Sequence, residues 1–502
     1  MSLARLVPIP DFMVTALQSP DNRIRVLSTL ALCIAVALPV GAIIGLLGAQ
    51  LGIAALLAML IAYLMLRSLM FSMVVLIGVI LLLPFAALPI DIGFAPTFLD
   101  LALGAVLFVW IARYVAHQDR EFLALSPALG VLVFVVLAVF SSLAGLGHAP
   151  LTANVLRHLL EILLSILLFV VTTNAVRTPG QLRILVTVLV LAGATAAFIG
   201  IVLYILPEEL TVRLLSVLRV VRYPSGTDVL RYIEDDPARA LRATSTSVDP
   251  NVLGGALIFV TTIATAQFFD PHPVLPRRWL AAVVALMGVC MILTFSRGSF
   301  FGLAVAIFFL ALLRYRKLLW IGLAVLVVIL VLPFTQPYVD HYLSGLRGED
   351  LATQMRFGEY KDALILIGRY PWFGVGFSGT PEVDTYLGVS NVYLLIAENM
   401  GIIGLGAFLA TLYAHLAAGI GALRSIRTRA RVSATTIGLY LAIVGAMAGG
   451  MLDHYLFNLV FPHASSLLWL TMGLGAASLH MDLSTEPASA PTRPLIEEML
   501  GL

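Results

Sequence analysis

Residues 356–405 read RFGEYKDALILIGRYPWFGVGFSGTPEVDTYLGVSNVYLLIAENMGIIGL, which combines charge, polar side chains and glycine turns in an otherwise apolar chain. Its first third predicts a helix with Arg356 on it, whose apolar residues can rest on a membrane surface. Pro371 and the four glycines of GRYPWFGVGFSG then demand turns. An apolar run follows, with Glu398 as its one carboxylate. We expect the chemistry of the protein to be organised around this stretch.

The composition around that stretch is that of a membrane protein. The chain has 502 residues, of which 60% are hydrophobic and 12% charged, with a mean hydropathy of +1.02. Such a chain has lipid as its main solvent. The two cysteines lie inside apolar runs, which excludes a disulfide framework and disfavours a cysteine metal site. The sequence shows no nucleotide-binding motif and no nucleic-acid patch.

Apolar runs predict an all-α polytopic membrane protein with about fourteen transmembrane helices, since each run is long enough to cross a bilayer. A polar cytoplasmic leader at 1–26 precedes a single transmembrane domain at 27–480, and a flexible cytoplasmic tail follows at 481–502. The run at 389–421 is too long for one straight crossing. The predicted spans are 27–47, 50–66, 70–90, 98–115, 126–146, 156–174, 182–205, 252–269, 278–295, 298–313, 317–333, 389–421, 433–452 and 457–480.

The loop arginines and lysines predict the orientation, because these residues favour the cytoplasmic side. With the N-terminus inside, they gather in alternate loops, and the short outer loops near Asp91, His148 and Asp453 carry none. Arg297 is the exception. Two long loops, 206–251 and 334–388, then lie outside and hold most of the polar residues, so we expect the active site on the external face of an inner-membrane type of protein.

Arginines in or beside these loops are candidate ligands for an anionic group. Arg242 precedes an Asp-Pro-Asn turn and helix start, and its two interpretations are a headgroup contact and a functional one. Arg297 lies on the outer side against the charge bias, which favours a functional role over snorkelling to headgroups. Arg157 and Glu161 are one helical turn apart, and mutual pairing and a direct role are both open.

Residues around the apolar run also have two interpretations each. Ser390 or Asn391 suits a helix cap, and the alternative is a catalytic role for Ser390 with Asn391 and Tyr393 in support. Glu398 is either a buried structural carboxylate or a catalytic one. His454 lies in a short outer turn, where a capping or interface role is favoured over lining the same cavity.

Four motifs in order, RATSTSVDPNVLGG, TFSRGSFFGL, RYPWFGVGF and SNVYLLIAENMGIIGL, resemble the O-antigen ligase and O-antigen polymerase superfamily over about residues 151–475. The resemblance implies a glycosyltransferase that takes a glycan from an undecaprenyl-diphosphate donor on the periplasmic face, without metal or other cofactor. It implies that Arg242 and Arg297 face the diphosphate, with a lesser role for Arg356.

One position departs from the family pattern. Ligases of this family typically show a His-Asn pair before the Tyr-Leu of the last motif, with the histidine as proposed base, and here Ser390 and Asn391 stand at those positions. This favours a polymerase over a ligase. The remaining candidate bases on the outer side are Asp384, which we place first, and Glu382, His341 and His454.

The sequence therefore predicts polymerisation of lipid-linked repeat units into O-antigen, capsular or exopolysaccharide. The alternatives are a ligase that moves glycan to lipid A core or to protein, and a transporter of a lipid-linked or anionic solute. The polar residues gather at one face rather than at mid-membrane, which disfavours the transporter. Expected partners are the lipid-linked glycan donor, an acceptor glycan or lipid, membrane lipids, and a chain-length regulator or other polysaccharide assembly proteins.

Overall fold

The computed structural model describes residues 15, 16, 18–91, 93–116, 121–147, 150, 152–332, 336–379 and 388–484. This part of the chain is almost wholly helical, with one short two-stranded ribbon. The prediction of an all-α protein is confirmed.

The first compact unit, Met1–Ser68, holds one long helix, α1 (Asn22–Arg67). The Asp21 side chain caps its N-terminus by accepting from the backbone N–H of Arg23. Gly48 leaves the helical conformation with φ 79°, so the two spans predicted at 27–47 and 50–66 lie in one helix with a break between them.

The second unit, Leu69–Leu502, holds the other helices and the ribbon. Its helices are α2 (Leu69–Leu82), α3 (Phe98–Val115), α4 (Pro127–Gly145), α5 (Ala153–Ala175), α6 (Pro179–Ile205), α7 (Glu208–Val217), α8 (Pro250–Phe268), α9 (Arg277–Leu293), α10 (Arg297–Leu313), α11 (Lys317–Val331), α12 (Gln336–Arg347), α13 (Leu351–Arg369), α14 (Val392–Arg424), α15 (Ile426–Arg429), α16 (Ala434–Gly449) and α17 (Pro462–Ser484). The ribbon pairs β1 (Arg231–Tyr232) with β2 (Leu241–Arg242).

Several of these helices have the length and composition of membrane spans. Within the described residues, seven helices are long and apolar enough to cross a membrane, and five apolar helices are shorter. The seven are Asn22–Ala42, Phe98–Val115, Pro127–Gly145, Ala153–Ala175, Pro179–Ile205, Pro250–Phe268 and Val392–Arg424. A multi-pass membrane protein is confirmed, whereas the count of about fourteen spans stays a prediction.

Helix packing places the core of the second unit around α8, α16 and α17. Helix α17 packs along α5, and α16 packs against both α8 and α10. Helix α14 packs along α4 and also contacts α13. The long apolar helix α14 thereby joins the loop that carries α12 and α13 to the bundle.

Helix α14 is broken at Gly401, where φ is 69° and ψ is −176°. A break inside an apolar bundle frees backbone groups that lipid cannot satisfy. The turn after Pro371 supplies the partners: Val375 donates its N–H to the carbonyl of Glu398 at 2.9 Å, and the N–H of Ile402 donates to the carbonyl of Pro371 at 2.7 Å. The turns of RYPWFGVGF, residues 369–377, therefore pair with the backbone groups that the break leaves free, and we call this segment the plug.

Glycine is required on both sides of this contact. A Cβ at Gly401 would lie 2.2 Å from the backbone of Trp372, and one at Gly374 would lie 2.4 Å from the carbonyl oxygen of Glu398. The hydroxyl of Ser141 on α4 donates to the carbonyls of Phe373 and Asn399 and joins the plug to the bundle. The plug fixes where α13 ends and α14 begins, which positions the residues described next.

Candidate active site

One end of the second unit gathers the starts of α8, α10 and α14 and the end of α16, and we call it the site end. The hydroxyl of Ser299 on α10 donates to the carbonyl of Asn251 on α8 at 3.4 Å. The backbone N–H of Val392 on α14 donates to the carbonyl of Gly450, just beyond α16, at 2.8 Å. The residues predicted to matter near positions 242, 297, 356, 390 and 454 are therefore carried by elements that meet here.

Arg242 is held at the site end by its own loop. Its Nε donates to the carbonyl of Thr294 at 2.9 Å, and one Nη donates to Oδ1 of Asn251 at 2.7 Å. The other Nη makes no hydrogen bond within the described part of the chain and can bind an anion. In the ribbon Arg231 lies directly opposite Arg242, so their side chains share a face. The sequence analysis missed Arg231, because its position depends on a two-residue strand pairing.

The Asp-Pro-Asn turn has the structural role that sequence chemistry predicts. Asp249 is the N-cap of α8 and accepts from the backbone N–H groups of Asn251 and Val252. Asn251 in turn holds Arg242. The motif therefore starts a helix and fixes an arginine at the same time.

Arg297 is paired inside the protein. Both terminal nitrogens of its guanidinium bind the carboxylate of Asp350, and one also donates to the hydroxyl of Thr353 at 3.3 Å. Asp350 is the residue at which α13 begins. Burial tends to raise the pKa of Asp350, but the bonds from Arg297 and Thr353 prevail and lower it to about 2. Arg297 thus ties the start of α10 to the start of α13.

Arg356 differs from the other two arginines because its guanidinium makes no hydrogen bond or ion pair within the described part of the chain. It lies on α13 and is partly buried. Its charge reaches two groups at the site end: together with burial it lowers the pKa of Arg242, and together with His454 it lowers the pKa of Asp453. Arg356 is therefore a cation without a protein partner in the described part of the chain, and it lies close enough to Arg242 and Asp453 to influence their pKa values.

Asp453 and His454 are neighbours in the turn between α16 and α17. Nδ1 of His454 lies 3.4 Å from Oδ1 of Asp453, and the same oxygen accepts the backbone N–H of His454 at 2.8 Å. Burial tends to lower the pKa of His454, but the carboxylates of Asp453, Glu359 and Asp249 raise it above its usual value. Nδ1 of His454 therefore lies next to a carboxylate, at a distance longer than a hydrogen bond.

A cavity of about 230 Å³ lies beside this pair. Its polar lining comes from Glu359, Ser390, Asn399, His454 and Asn458. The Glu359 carboxylate accepts the backbone N–H of Ser390 at 2.9 Å. The cavity therefore joins α13, the start of α14 and the loop of His454 around one space.

The predicted residues at the start of α14 have mainly structural contacts. Asn391 is the N-cap, accepting from the backbone N–H groups of Tyr393 and Leu394. The hydroxyl of Tyr393 donates to the carbonyl of Met447 at 2.9 Å. Glu398 is buried and accepts the backbone N–H of Gly388 at 3.2 Å.

Arg157 belongs to a separate ion-pair cluster. Its Nη1 lies 3.2 Å from Asp100 on α3 and 3.1 Å from Glu161 on α5. The hydroxyl of Thr97 donates to the second oxygen of Glu161 at 2.8 Å. Within the described chain, no hydrogen bond or ion pair joins this cluster to Arg242, Arg297 or Arg356.

Three candidate bases have no described side chain. Asp384 and Glu382 lie outside the described residues, and His341 lies in α12 with only its backbone described. The described residues contain no group of three histidine, cysteine or acidic side chains placed to hold a metal ion. The roles of these candidates stay predictions.

Comparison with known proteins identifies one segment. A family model described as O-antigen ligase matches residues 282–409, which include Arg297, Arg356, Ser390 and Glu398. No curated protein matches the chain. The match supports an enzyme with an O-antigen ligase or polymerase type of activity. Residues 282–409 are therefore similar to the O-antigen ligase family, which is consistent with the O-antigen ligase and polymerase superfamily that the motifs resemble.

Proposed function

We propose that this protein polymerises oligosaccharide repeat units linked to undecaprenyl diphosphate, by metal-independent glycosyl transfer at the periplasmic face of the inner membrane. The observation that carries the proposal is the arrangement at the site end. There, Arg356, which has no partner within the described chain, and the partly free Arg242 lie within electrostatic range of the Asp453–His454 pair, and His454 lines a cavity of about 230 Å³.

The arginines suit the departing group of this reaction. When a sugar C1 is transferred, its bond to the diphosphate oxygen breaks and the electron pair leaves with the diphosphate. Guanidinium groups stabilise that developing charge with two parallel hydrogen bonds and need no metal. Arg356 and the free Nη of Arg242 supply such donors.

His454 suits the other half of the reaction. The acceptor hydroxyl attacks C1, its oxygen forms the new glycosidic bond, and its proton passes to Nε2 of neutral His454. Asp453 beside Nδ1 orients the ring and stabilises the imidazolium that forms. A single in-line displacement of this kind inverts the anomeric configuration.

Arg297 then acts by positioning rather than by binding phosphate. Its guanidinium is occupied by Asp350, which begins α13, and α13 carries both Arg356 and Glu359. The prediction from family resemblance, that Arg297 faces the diphosphate, thus competes with an indirect role. Replacement of Asp350 by Asn separates the two, since it leaves the guanidinium charge in place.

Ligase activity is the second candidate, because the matching family model is described as O-antigen ligase. The serine at position 390 favours the polymerase. No observation on the described residues favours the transporter alternative.

The test is glycan profiling of a deletion strain complemented with wild-type protein, Arg356→Ala, Arg242→Ala or His454→Ala, each at matched membrane expression. Single repeat units in place of long chains in the variants support the polymerase and these residues. Long chains that persist on the lipid carrier would identify a ligase and contradict the proposal.

A further inference from the structure

A second cavity, of about 570 Å³, lies at the end of the bundle opposite the site end. Helices α10 and α14 end there and α16 begins there, whereas their other ends meet at the site end. Helix α16 packs along α10, while α14 packs along α4, and the space between α14 and α16 is the cavity. We call it the basal groove.

The walls of the basal groove are apolar. Phe309 and Leu313 come from α10, Ile420 from α14, and Ile437 and Val444 from α16. Phe309, Leu313 and Ile420 are each more than 40% exposed in the isolated chain, so an apolar occupant would find hydrocarbon contact along its whole length.

The floor of the basal groove is formed by a tyrosine ring stacked on a buried histidine ring. The ring of Tyr440 lines it and stacks on the buried His415 ring, with 4.2 Å between centroids and 7° between planes. A Cβ at Gly419 would lie 2.6 Å from the Tyr440 ring, so this glycine allows α14 to lie against the tyrosine. The groove is thus a preformed feature, within the size range of ligand pockets.

The rim of the basal groove is positively charged. Arg424, the last residue of α14, and Arg429, the last residue of α15, both line the cavity and are exposed. Within the described chain, neither guanidinium makes an ion pair or hydrogen bond. The carboxylate of Asp482 behind the groove already accepts from Thr436 and from the backbone of Ser433. The rim therefore presents two unneutralised charges directly above an apolar slot.

We propose that the basal groove binds one anionic phospholipid, with an acyl chain in the slot and the phosphate held by Arg424 and Arg429. Basic pockets between membrane helices bind anionic headgroups in this way, and the same arginines lie on the side that the charge bias assigns to the cytoplasm. A soluble phosphate would satisfy the rim but leave the apolar walls unfilled, so the occupant is a lipid.

The test is native mass spectrometry of the full-length protein released from detergent, titrated with phosphatidylglycerol or phosphatidylcholine of identical acyl chains. Each arginine near a lipid phosphate contributes about fivefold to affinity, so we expect a preference for phosphatidylglycerol of about thirtyfold in the tightest site. The Arg424→Gln/Arg429→Gln double variant should lose this preference. Arg427→Gln is the matched control, because Arg427 lies on the same short helix but outside the groove. This variant should retain the preference for phosphatidylglycerol.

Two further arms identify the occupant. Ile420→Trp places a bulky ring in the slot and should weaken binding of both lipids, whereas excess glycerol 1-phosphate should displace neither. Equal affinity of wild-type protein for both lipids, or a preference retained by the double variant, would overturn the proposal. So would a wild-type dimer that binds no lipid and that Ile420→Trp makes monomeric, since the groove would then hold a second copy of the chain.

Discussion

At the scale of residues, the arginines at positions 242, 297 and 356 have three different environments. Arg242 is half occupied by Thr294 and Asn251, Arg297 is fully engaged by Asp350, and Arg356 has no partner within the described chain. A guanidinium without a protein partner has all of its N–H donors available for a substrate. We therefore rank Arg356 above Arg297 as the ligand of the diphosphate.

Removing Arg356 should slow the reaction without unfolding the protein. We expect Arg356→Ala to lower the transfer rate by about 10²–10³, the usual cost of losing one donor to a developing anion. Lys361→Ala is the matched control, since Lys361 is an exposed cation on the same helix. Equal rates for the two variants in a purified transfer assay would exclude the proposed role of Arg356.

The Asp453–His454 pair predicts a pH dependence. A base must be neutral, so activity falls as pH drops through the pKa of His454, which the nearby carboxylates raise. Asp453→Asn removes the main cause of that rise, and the acidic limb of the rate profile should move to lower pH while the maximal rate declines. An unmoved acidic limb would mean that another group accepts the proton.

At the scale of elements, the start of α13 depends on one ion pair. Asp350→Asn leaves Arg297 with a weaker acceptor, and we expect it to lower the free energy of unfolding by about 2 kcal/mol. Because the folded-state pKa of Asp350 is about 2, below the ordinary value of 3.8, the wild-type advantage should be complete above pH 4 and fade as pH falls towards 2.

Comparison of activities then separates the two roles of Arg297. If Arg297 acts only through Asp350, Arg297→Ala and Asp350→Asn should lose similar activity and similar thermal stability. A much larger activity loss for Arg297→Ala at equal stability would instead indicate that Arg297 binds the diphosphate directly.

The plugged break in α14 is the second element on which the site depends. We expect Gly401→Ala to destabilise the protein by about 2–4 kcal/mol, since φ is positive there and the new Cβ meets the Trp372 backbone. Gly406→Ala, in the same helix with open space around it, should be neutral or slightly stabilising. Thermal unfolding in detergent measures both, and similar melting temperatures would contradict the plug.

At the scale of the whole molecule, the length of the apolar runs predicted the helices well, because bilayer thickness dictates run length. It also showed that 389–421 exceeds one crossing, and the structure places a break at Gly401. Sequence could not show that the glycines of RYPWFGVGF satisfy that break, because the contact joins two segments through backbone groups alone. The plug is visible only in three dimensions.

The site was predicted in part, for a related reason. Arg242, Arg356 and His454 are brought to one end of the bundle. Charge placement could not reveal that Arg297 pairs with Asp350, because the partner is 53 positions away in another loop. The pairing with Asp350 determines whether the guanidinium of Arg297 is available to a substrate.

Reconstitution directly tests whether this chain joins lipid-linked repeat units by itself. Purified protein in liposomes would receive a single defined undecaprenyl-diphosphate repeat unit, and products would be resolved by size. We predict a ladder of lipid-linked oligomers that is absent with Arg356→Ala and His454→Ala. Product formation only after lipid A core is added, or an unchanged ladder from both variants, would contradict the claim.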